Sequence, residues 1–285
     1  MTRLFFKQFT PQPSLSRNIL PQICLFVKFE RLSLFLCYNK SGDFMNDIET
    51  LIQWIKESKK TVFFGGAGVS TESGLKDFRS KDGLYYEQYD YPPEEILSHH
   101  FFMRNTEEFY EFYRKKLNTK GFYPNITHSV LAEMEKKGLL SSVITQNIDG
   151  FHQEAGSKKV LELHGSIKRN YCQKCHKFYD EKIVFDTKKI PKCSCGGIIK
   201  PDVVLYEEGL DQETVHEAVK EIATCDLLII GGTSLNVYPA ASFIQSFQGS
   251  HLVLINRDET GFDSKCDLVI HANLGDVFKE IKKEI

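Results

Sequence analysis

The sequence predicts an α/β protein with a parallel, doubly wound sheet, because short apolar strands alternate with helical segments along most of its 285 residues. A strand at Thr61–Phe64 runs into a glycine turn at 65–68, and a second strand at Asp226–Ile230 runs into the sequence GGTS. Glycine lets the backbone turn tightly and approach a ligand, while the N–H groups of the next helix face a phosphate. We therefore expect a dinucleotide at the carboxyl ends of the strands.

The first glycine turn alone leaves other interpretations open. Gly66, Gly68 and Thr71 lack the third glycine of the G-x-G-x-x-G pattern that ordinary dehydrogenases use. A tight turn between a strand and a helix, without any ligand, would also fit. The carboxylate, aromatic ring and guanidinium of Asp77–Arg79 favour a ligand site, because charged groups just after a phosphate turn are unusual in a protein core.

Other predicted strands also end in polar side chains. These are Gln146–Asp149 after the strand at 142–145, His164 after the strand at 160–163, and Asn256 after the strand at 252–255. Because the carboxyl ends of parallel strands meet at one edge of an open sheet, the pattern predicts one crevice lined from several loops.

The first 44 residues differ from the rest, with six Lys or Arg and only two acidic residues. Their apolar part is interrupted by Lys28, Glu30 and Arg31, which argues against a membrane span or a signal peptide. An organellar transit peptide is one alternative. We expect instead that Met45 is the translation start and that residues 1–44 are a leader outside a fold at 45–285. A first helix is then expected to begin at an N-cap in residues 46–47.

The charge balance limits the classes of partner. The chain has 36 Lys and Arg against 38 Asp and Glu, so no overall charge attracts it to nucleic acid or to an acidic membrane. We expect a cytoplasmic protein that binds neither. The sequence makes no prediction of the oligomeric state.

Four of the eight cysteines form two close pairs, Cys172 with Cys175 and Cys193 with Cys195, separated by seventeen residues. Two such pairs can present four thiolates tetrahedrally, as in structural zinc sites. His176 could replace one cysteine. A redox pair and a nucleic-acid-binding zinc ribbon are further alternatives, but a thioredoxin unit and an aromatic stacking set are both missing nearby. We expect a closed four-cysteine zinc site in a small domain at about 168–200.

In combination, the motifs of this chain resemble those of the sirtuins, which are NAD-dependent protein deacylases. The resemblance runs from about Asp47 to Ile285. The matching motifs are GAGVSTESG at Gly66–Gly74, DFR at Asp77–Arg79, QNID at Gln146–Asp149, HG at His164–Gly165, the four cysteines, GTS at Gly232–Ser234, and Asn256 after a strand. The resemblance implies a large Rossmann-like domain with a small zinc-binding domain inserted in it. An aromatic-rich segment at about 81–125 is expected to form a helical insertion over the site.

The resemblance implies an NAD-dependent protein-lysine deacetylase, which moves the acetyl group from lysine to ADP-ribose and releases nicotinamide. By motif match, His164 is the general base, a task that suits imidazole because its ordinary pKa is about 6.5. The residues implied at the nicotinamide and its ribose are Phe78, Gln146, Asn147, Ile148 and Asp149. The other implied NAD contacts are Ala67, Thr71, Arg79, Thr233, Ser234, Asn256 and the backbone of Leu274. The acetylated protein substrate would pair as a strand with Val203, Val204, Leu205 and Tyr206.

Some positions depart from the family pattern. Lys76 stands where the family usually has proline, and Glu207 stands where it often has glycine. Sirtuins that remove succinyl groups carry an arginine three residues after a tyrosine; here Tyr113 follows Tyr110 at that spacing, and Arg114 comes one residue later. The sequence therefore favours neutral acyl groups. A mono-ADP-ribosyltransferase using the same NAD site, and a non-catalytic NAD-binding protein, are alternative functions.

Overall fold

The computed structural model describes residues 40–76 and 91–285. Its main feature is a six-stranded parallel sheet with the strand order β3-β2-β1-β7-β8-β9. These strands are β1 Thr61–Gly65, β2 Ser142–Thr145, β3 Val160–Glu162, β7 Leu227–Gly231, β8 His251–Ile255 and β9 Leu268–Ile270. This order is that of a Rossmann-like doubly wound sheet, and it confirms the predicted fold class.

The strand order reverses between β1 and β7: β2 and β3 are added on one side of β1, and β7, β8 and β9 on the other. The strands on both sides of this point end in register. Gly65 lies opposite Thr145 on one side and Gly231 on the other, and Gly231 lies opposite Ile255. Ligands of open α/β sheets bind where the strand order reverses. Both glycine turns predicted from the sequence leave the sheet at this point.

Helices cover both faces of the large sheet. The described helices are α1 Lys40–Glu57, α2 Gly68–Thr71, α3 Pro93–Ile96, α4 His99–Arg104, α5 Thr106–Lys116, α6 Ile126–Lys136, α7 Phe151–Ala155, α8 Lys182–Phe185, α9 Gln212–Thr224 and α10 Leu274–Glu284, with 3₁₀ helices at Ala240–Ser246 and Asp263–Lys265. Phe63 packs with α1, α6 and α10, whereas Phe64 packs with α9 and the first 3₁₀ helix. Both phenylalanines are fully buried. Side chains that alternate along a strand thus anchor two separate cores.

The predicted helix start at Asn46 or Asp47 is wrong, because α1 begins at Lys40. Phe44 packs against the core cluster that contains Ile48, so the apolar face of the helix extends one turn further toward its amino end. The helix therefore includes residues 40–44 of the predicted leader. The assignment of residues 1–44 to a leader stays a prediction.

A second sheet has three antiparallel strands in the order β5-β4-β6, namely β4 Gly165–Cys172, β5 Phe178–Asp180 and β6 Ile199–Val203. Helices α3, α4 and α5 pack against β4 and β6 through a cluster rich in aromatic residues. These helices lie in the segment 91–125, the described part of the predicted insertion. Within residues 40–76 and 91–285, no helix has the combined length and apolar character that a membrane crossing requires.

Candidate functional site

The two glycine turns pack backbone against backbone at the point where the strand order reverses. The Gly68 N–H donates to the Gly232 carbonyl over 2.8 Å, and the Gly66 N–H donates to the Gly231 carbonyl over 3.2 Å. A Cβ on Gly68 would lie 2.7 Å from Cα of Gly232, and a Cβ on Gly66 would lie 2.7 Å from Cβ of Thr233. Only glycine therefore permits this close approach of the two turns.

Several residues predicted to contact NAD lie next to the two glycine turns. Ala67 precedes α2, and Thr71 ends it with an exposed side chain whose hydroxyl donates to the Gly68 carbonyl over 2.9 Å. Thr233 is buried and accepts a 3.3 Å hydrogen bond from Nε2 of Gln146, whereas Ser234 is exposed. Phe78 and Arg79 lie outside the described residues, so their predicted roles stay predictions. Lys76, the last described residue before them, is exposed.

Asn256 and Leu274 lie beyond the second glycine turn. Asn256 follows β8, where its N–H donates to the Ile270 carbonyl over 3.2 Å and its side-chain amide donates to the Asp258 carbonyl over 2.7 Å. The Leu274 side chain is buried, and a Cβ on Gly231 would lie 2.9 Å from its Cδ2. Leu274 thus packs behind the glycine turn, and its predicted backbone contact with NAD stays a prediction.

A buried polar network joins α2, which follows the first glycine turn, to the QNID segment. The Ser70 hydroxyl donates to Oδ2 of Asp149 over 2.7 Å and accepts from Nδ2 of Asn147 over 3.1 Å. The Phe151 N–H donates to the other carboxylate oxygen over 2.9 Å. Burial raises the pKa of Asp149, and the hydrogen bonds from Phe151 and Ser70 oppose that rise. Asn147 and Asp149 thus share the Ser70 hydroxyl, and their predicted role at nicotinamide stays a prediction.

Ser70 and His128 take part in this network but were not among the predicted site residues. Nε2 of His128 lies 3.5 Å from the Ser70 hydroxyl, and its Nδ1 lies 3.2 Å from the Asn125 N–H, which donates to it. Burial lowers the pKa of His128 to about 4, so the ring is neutral at physiological pH. The sequence signal that could have drawn attention to His128 is its spacing from Asn125, which is that of a capping box at the start of α6.

His164 lies in the turn between β3 and β4, at the edge of the large sheet. Its Nδ1 lies 2.9 Å from the Gln146 carbonyl, and because a carbonyl only accepts, this nitrogen carries the proton. Nε2 is therefore the free basic nitrogen of the neutral ring. Burial lowers the pKa of His164, and the bond to Gln146 partly opposes this.

The segment predicted to pair with a peptide leaves the small sheet beside His164. The Val204 N–H donates to the His164 carbonyl, the Leu205 N–H to the Glu208 carboxylate, and the Tyr206 N–H to the Leu97 carbonyl, at 2.9 to 3.0 Å. These three donors are already used within the chain. The predicted pairing with a peptide would therefore use carbonyl oxygens, which can accept a second hydrogen bond, or the residues that follow.

Glu207 adopts the left-handed conformation that a glycine would adopt without strain, with φ of 75°. Its carboxylate accepts a 2.9 Å hydrogen bond from the His100 N–H in the first turn of α4. A negative charge at a helix amino end stabilises the helix, and this bond offsets part of the backbone strain. Glu207 thus ties the predicted peptide segment to α4.

The four predicted metal ligands converge. Their sulfur atoms all lie within 4.8 Å of one another, with Cys172 to Cys195 at 3.5 Å and Cys175 to Cys193 at 3.6 Å. Tetrahedral zinc with Zn–S bonds of about 2.3 Å requires sulfurs about 3.8 Å apart, so the four thiols fit a zinc ion.

The surroundings of the sulfurs also fit zinc. The Tyr179 hydroxyl lies 3.1 Å from the Cys193 sulfur, which it can stabilise as a donor. Among the described residues, these four cysteines form the only group of side chains placed to hold a metal ion, and His176 does not belong to it.

The three residues that bear on acyl choice are buried or hydrogen-bonded within the protein. Tyr110 and Tyr113 are fully buried, and the Tyr110 hydroxyl donates to the Ile199 carbonyl. Nε of Arg114 donates to the Val184 carbonyl over 2.7 Å, and its terminal nitrogens donate to the carbonyls at 188 and 189. The guanidinium is therefore held by the backbone of α8 and of the segment that follows it.

Comparison with known proteins gives a consistent result. The chain matches the model of the Sir2 family over residues 66–239. It is 54% identical over 238 residues to an NAD-dependent protein deacetylase of Clostridium perfringens, which covers 82% of this chain and 98% of that protein. It is 51% identical over 239 residues to an NAD-dependent protein deacetylase of Cutibacterium acnes, with 83% and 98% covered.

Solved structures of Sir2 enzymes are also similar. One, from work on the mechanism and regulation of Sir2 enzymes, has a TM-score of 0.76 and 40% identity, covering 84% of this chain and 97% of its own. Another is a Sir2 variant solved with a deacetylated p53 peptide and 3′-O-acetyl ADP-ribose. It has a TM-score of 0.76 and 35% identity, with 83% and 98% covered.

Proposed function

Because the chain belongs to the Sir2 family, we infer that it is an NAD-dependent protein-lysine deacetylase, which transfers acetyl from lysine to ADP-ribose and releases nicotinamide. The observation that carries this inference is the arrangement of His164. Its Nδ1 is bonded to the Gln146 carbonyl, and its Nε2 remains available at the carboxyl edge of the sheet, beside the Asn147 and Asp149 network. A protein that only bound NAD would need no such base.

NAD supplies a ribose whose anomeric carbon accepts the acyl oxygen as nicotinamide departs. The phosphates of NAD would lie against the two glycine turns. The Gly66 and Gly68 N–H groups already donate within the chain, so Thr233, Ser234 and Asn256, which follow the neighbouring strands, would supply contacts to the cofactor. Asn147 and Asp149 would bind the nicotinamide with Ile148, and Gln146 would bind the ribose. Buried groups that are already oriented lose little entropy on binding.

His164 would act on the ribose hydroxyls as a general base. Nε2 accepts the proton, while the Nδ1–H bond to Gln146 keeps the ring in the required tautomer. Since burial lowers the pKa of His164, the ring stays neutral and able to accept a proton at physiological pH. Gln146 therefore contributes through its backbone as well as through its side chain.

The zinc ion has a structural role. All four ligands come from cysteines, so the coordination shell is closed and leaves no position for a substrate. Cys172 ends β4, and Cys193 lies shortly before β6. Zinc thus fixes the two strands that lead to His164 and to the predicted peptide segment.

We propose that acetyl and other neutral acyl groups are preferred over succinyl. The hydroxyl of Tyr110 and the guanidinium of Arg114 are both bonded to backbone carbonyls. Pairing with a succinate carboxylate would require these bonds to break. The substrates would be acetylated cytoplasmic proteins, without a nucleic acid or membrane partner.

The test uses the full zinc-loaded chain with NAD and matched acetyl-lysine and succinyl-lysine peptides, followed by mass spectrometry. We expect NAD-dependent loss of acetyl and formation of acetyl-ADP-ribose, which His164→Ala abolishes. His216→Ala, on the exposed face of α9, is the matched control and should retain activity. Consumption of NAD with ADP-ribose attached to protein, while the peptides stay acylated, would instead establish the transferase alternative.

A further inference from the structure

Arg169 bridges the two sheets across the turn that carries His164. Its Nη1 donates to Oε2 of Glu162 over 2.6 Å, and its Nε donates to Oδ2 of Asp202 over 2.7 Å. Glu162 is the last residue of β3 in the large sheet, whereas Asp202 belongs to β6 in the small sheet. One guanidinium therefore holds an element on each side of His164.

The local backbone brings Arg169 to this position. On β6, Asp202 pairs with Ser166 and the adjacent Pro201 pairs with Asn170, so residues 167–169 form a bulge in β4. Within the bulge, the Ile167 N–H donates to the Ile148 carbonyl over 2.9 Å. The bulge thus connects the turn to the loop predicted to bind nicotinamide.

The start of β4 is packed too tightly to adjust by itself. Gly165 has φ of 71°, and a Cβ there would lie 1.9 Å from the Asp202 carbonyl oxygen. The His164 carbonyl accepts a 3.0 Å hydrogen bond from the Val204 N–H. The orientation of the imidazole therefore depends on how β6 sits relative to the edge of the large sheet, which is the distance that Arg169 spans.

We propose that Arg169 is a positioning residue for His164: its bonds to Glu162 and Asp202 set the turn so that Nδ1 meets the Gln146 carbonyl. This rests on the proposed function and adds a residue to it. Arginine suits the task because its planar fork can bond two carboxylates at once, which lysine cannot reproduce with the same geometry. The Glu162 side chain is only 5% exposed, so without Arg169 a buried carboxylate would lose its partner.

The kinetic test separates the two stages of the reaction. Exchange of labelled nicotinamide into NAD, in the presence of acetyl peptide, needs no base, whereas formation of acetyl-ADP-ribose does. In Arg169→Met we expect acetyl-ADP-ribose formation to fall about 10-fold to 100-fold, the effect of a base displaced by about 1 Å, while exchange changes far less. Arg169→Lys should recover part of the loss because it keeps the charge.

Lys182→Met is the matched control. Lys182 is an exposed cation at the start of α8, between β5 and β6 of the small sheet, and its replacement should leave both rates unchanged. Zinc content and circular dichroism report whether each variant is folded. An equal fall of both rates in Arg169→Met, in folded protein, would overturn the proposal. So would unchanged rates.

A second measurement decides the proposal without relying on catalysis. Long-range ¹H–¹⁵N spectra of the histidine rings identify the tautomer, and the His164 signals are assigned by their loss in His164→Ala. We expect a predominantly Nδ1-protonated ring in the unchanged chain and a mixture of tautomers in Arg169→Met. An unchanged His164 spectrum would overturn the role of Arg169. If the chain instead formed no acetyl-ADP-ribose at all, the proposed function would fail while the spectra still decided the role of Arg169.

Discussion

Ser70 donates a 2.7 Å hydrogen bond to the carboxylate of Asp149, although the two residues lie 79 positions apart in the chain. The same hydroxyl accepts from Asn147 over 3.1 Å. A single serine in α2, just after the first glycine turn, therefore orients both polar side chains predicted to bind nicotinamide. The phosphate end and the nicotinamide end of the predicted NAD site are physically coupled through it.

Removing this hydroxyl should weaken the nicotinamide site. In Ser70→Ala, Asp149 loses a donor in a buried place, so we expect inhibition by nicotinamide to require about tenfold more nicotinamide. The bond from Ser70 lowers the pKa of Asp149 against the effect of burial, so its loss raises that pKa further. On acidification, nicotinamide inhibition should therefore weaken at a higher pH in Ser70→Ala than in the unchanged chain, because a protonated Asp149 accepts fewer hydrogen bonds. Ser264→Ala, at an exposed serine, is the control, and equal inhibition constants in the two variants would contradict the prediction.

The pH profile of the free enzyme should reflect the burial of His164. The neutral ring is the active form, and because burial lowers its pKa, kcat/KM should persist below about pH 6.5 before it falls. The measurement is acetyl-ADP-ribose formation across the acidic range. Nicotinamide exchange over the same range controls for effects on NAD binding, because it needs no base. An acid limb of kcat/KM at or above pH 6.5, the ordinary pKa of histidine, would contradict the assignment of His164 as the base.

Two adjacent glycines allow a sharp test of the metal site. A Cβ on Gly197 would lie 2.6 Å from the Cys172 sulfur and 2.8 Å from Cβ of Lys174, whereas a Cβ on Gly196 would meet nothing within 4 Å. Gly197→Ala should therefore lower the zinc content and the thermal stability. Gly196→Ala should keep zinc and lose only about 1 kcal/mol, because φ there is 83°. Zinc is measured after exposure to a chelator, and similar zinc retention in both variants would refute the packing argument.

Two small replacements at Glu207 should change the stability of the protein by different amounts. Glu207→Gly loses the bond to the His100 N–H but relieves the backbone at φ of 75°, whereas Glu207→Ala loses the bond and keeps the strain. We expect the alanine variant to be less stable than the glycine variant by about 1 kcal/mol, measured by urea unfolding of the zinc-loaded protein. The reverse order would mean that the turn relaxes without strain.

The sequence alone determined the elements whose signals are local. The apolar strands, the glycines after β1 and β7, and the two cysteine pairs each depend on residues close together in the chain. The parallel sheet and the four-thiol cluster could therefore be predicted before any contact was known. The start of α1 was placed too late because the apolar contact of Phe44 with the core outweighed the preference of Asn46 for a cap.

Tertiary structure decided how these local elements act together. Ser70 meets Asp149, and His164 meets the Gln146 carbonyl, only after parallel strands bring their carboxyl ends into one row. Arg169 meets Glu162 and Asp202 only after the small antiparallel sheet packs beside the edge of the large one. No local pattern marks such partners, since a hydroxyl or a guanidinium has the same sequence signal on a solvated surface. Distances across the fold decide which side chains form hydrogen bonds or ion pairs, and those distances follow from packing.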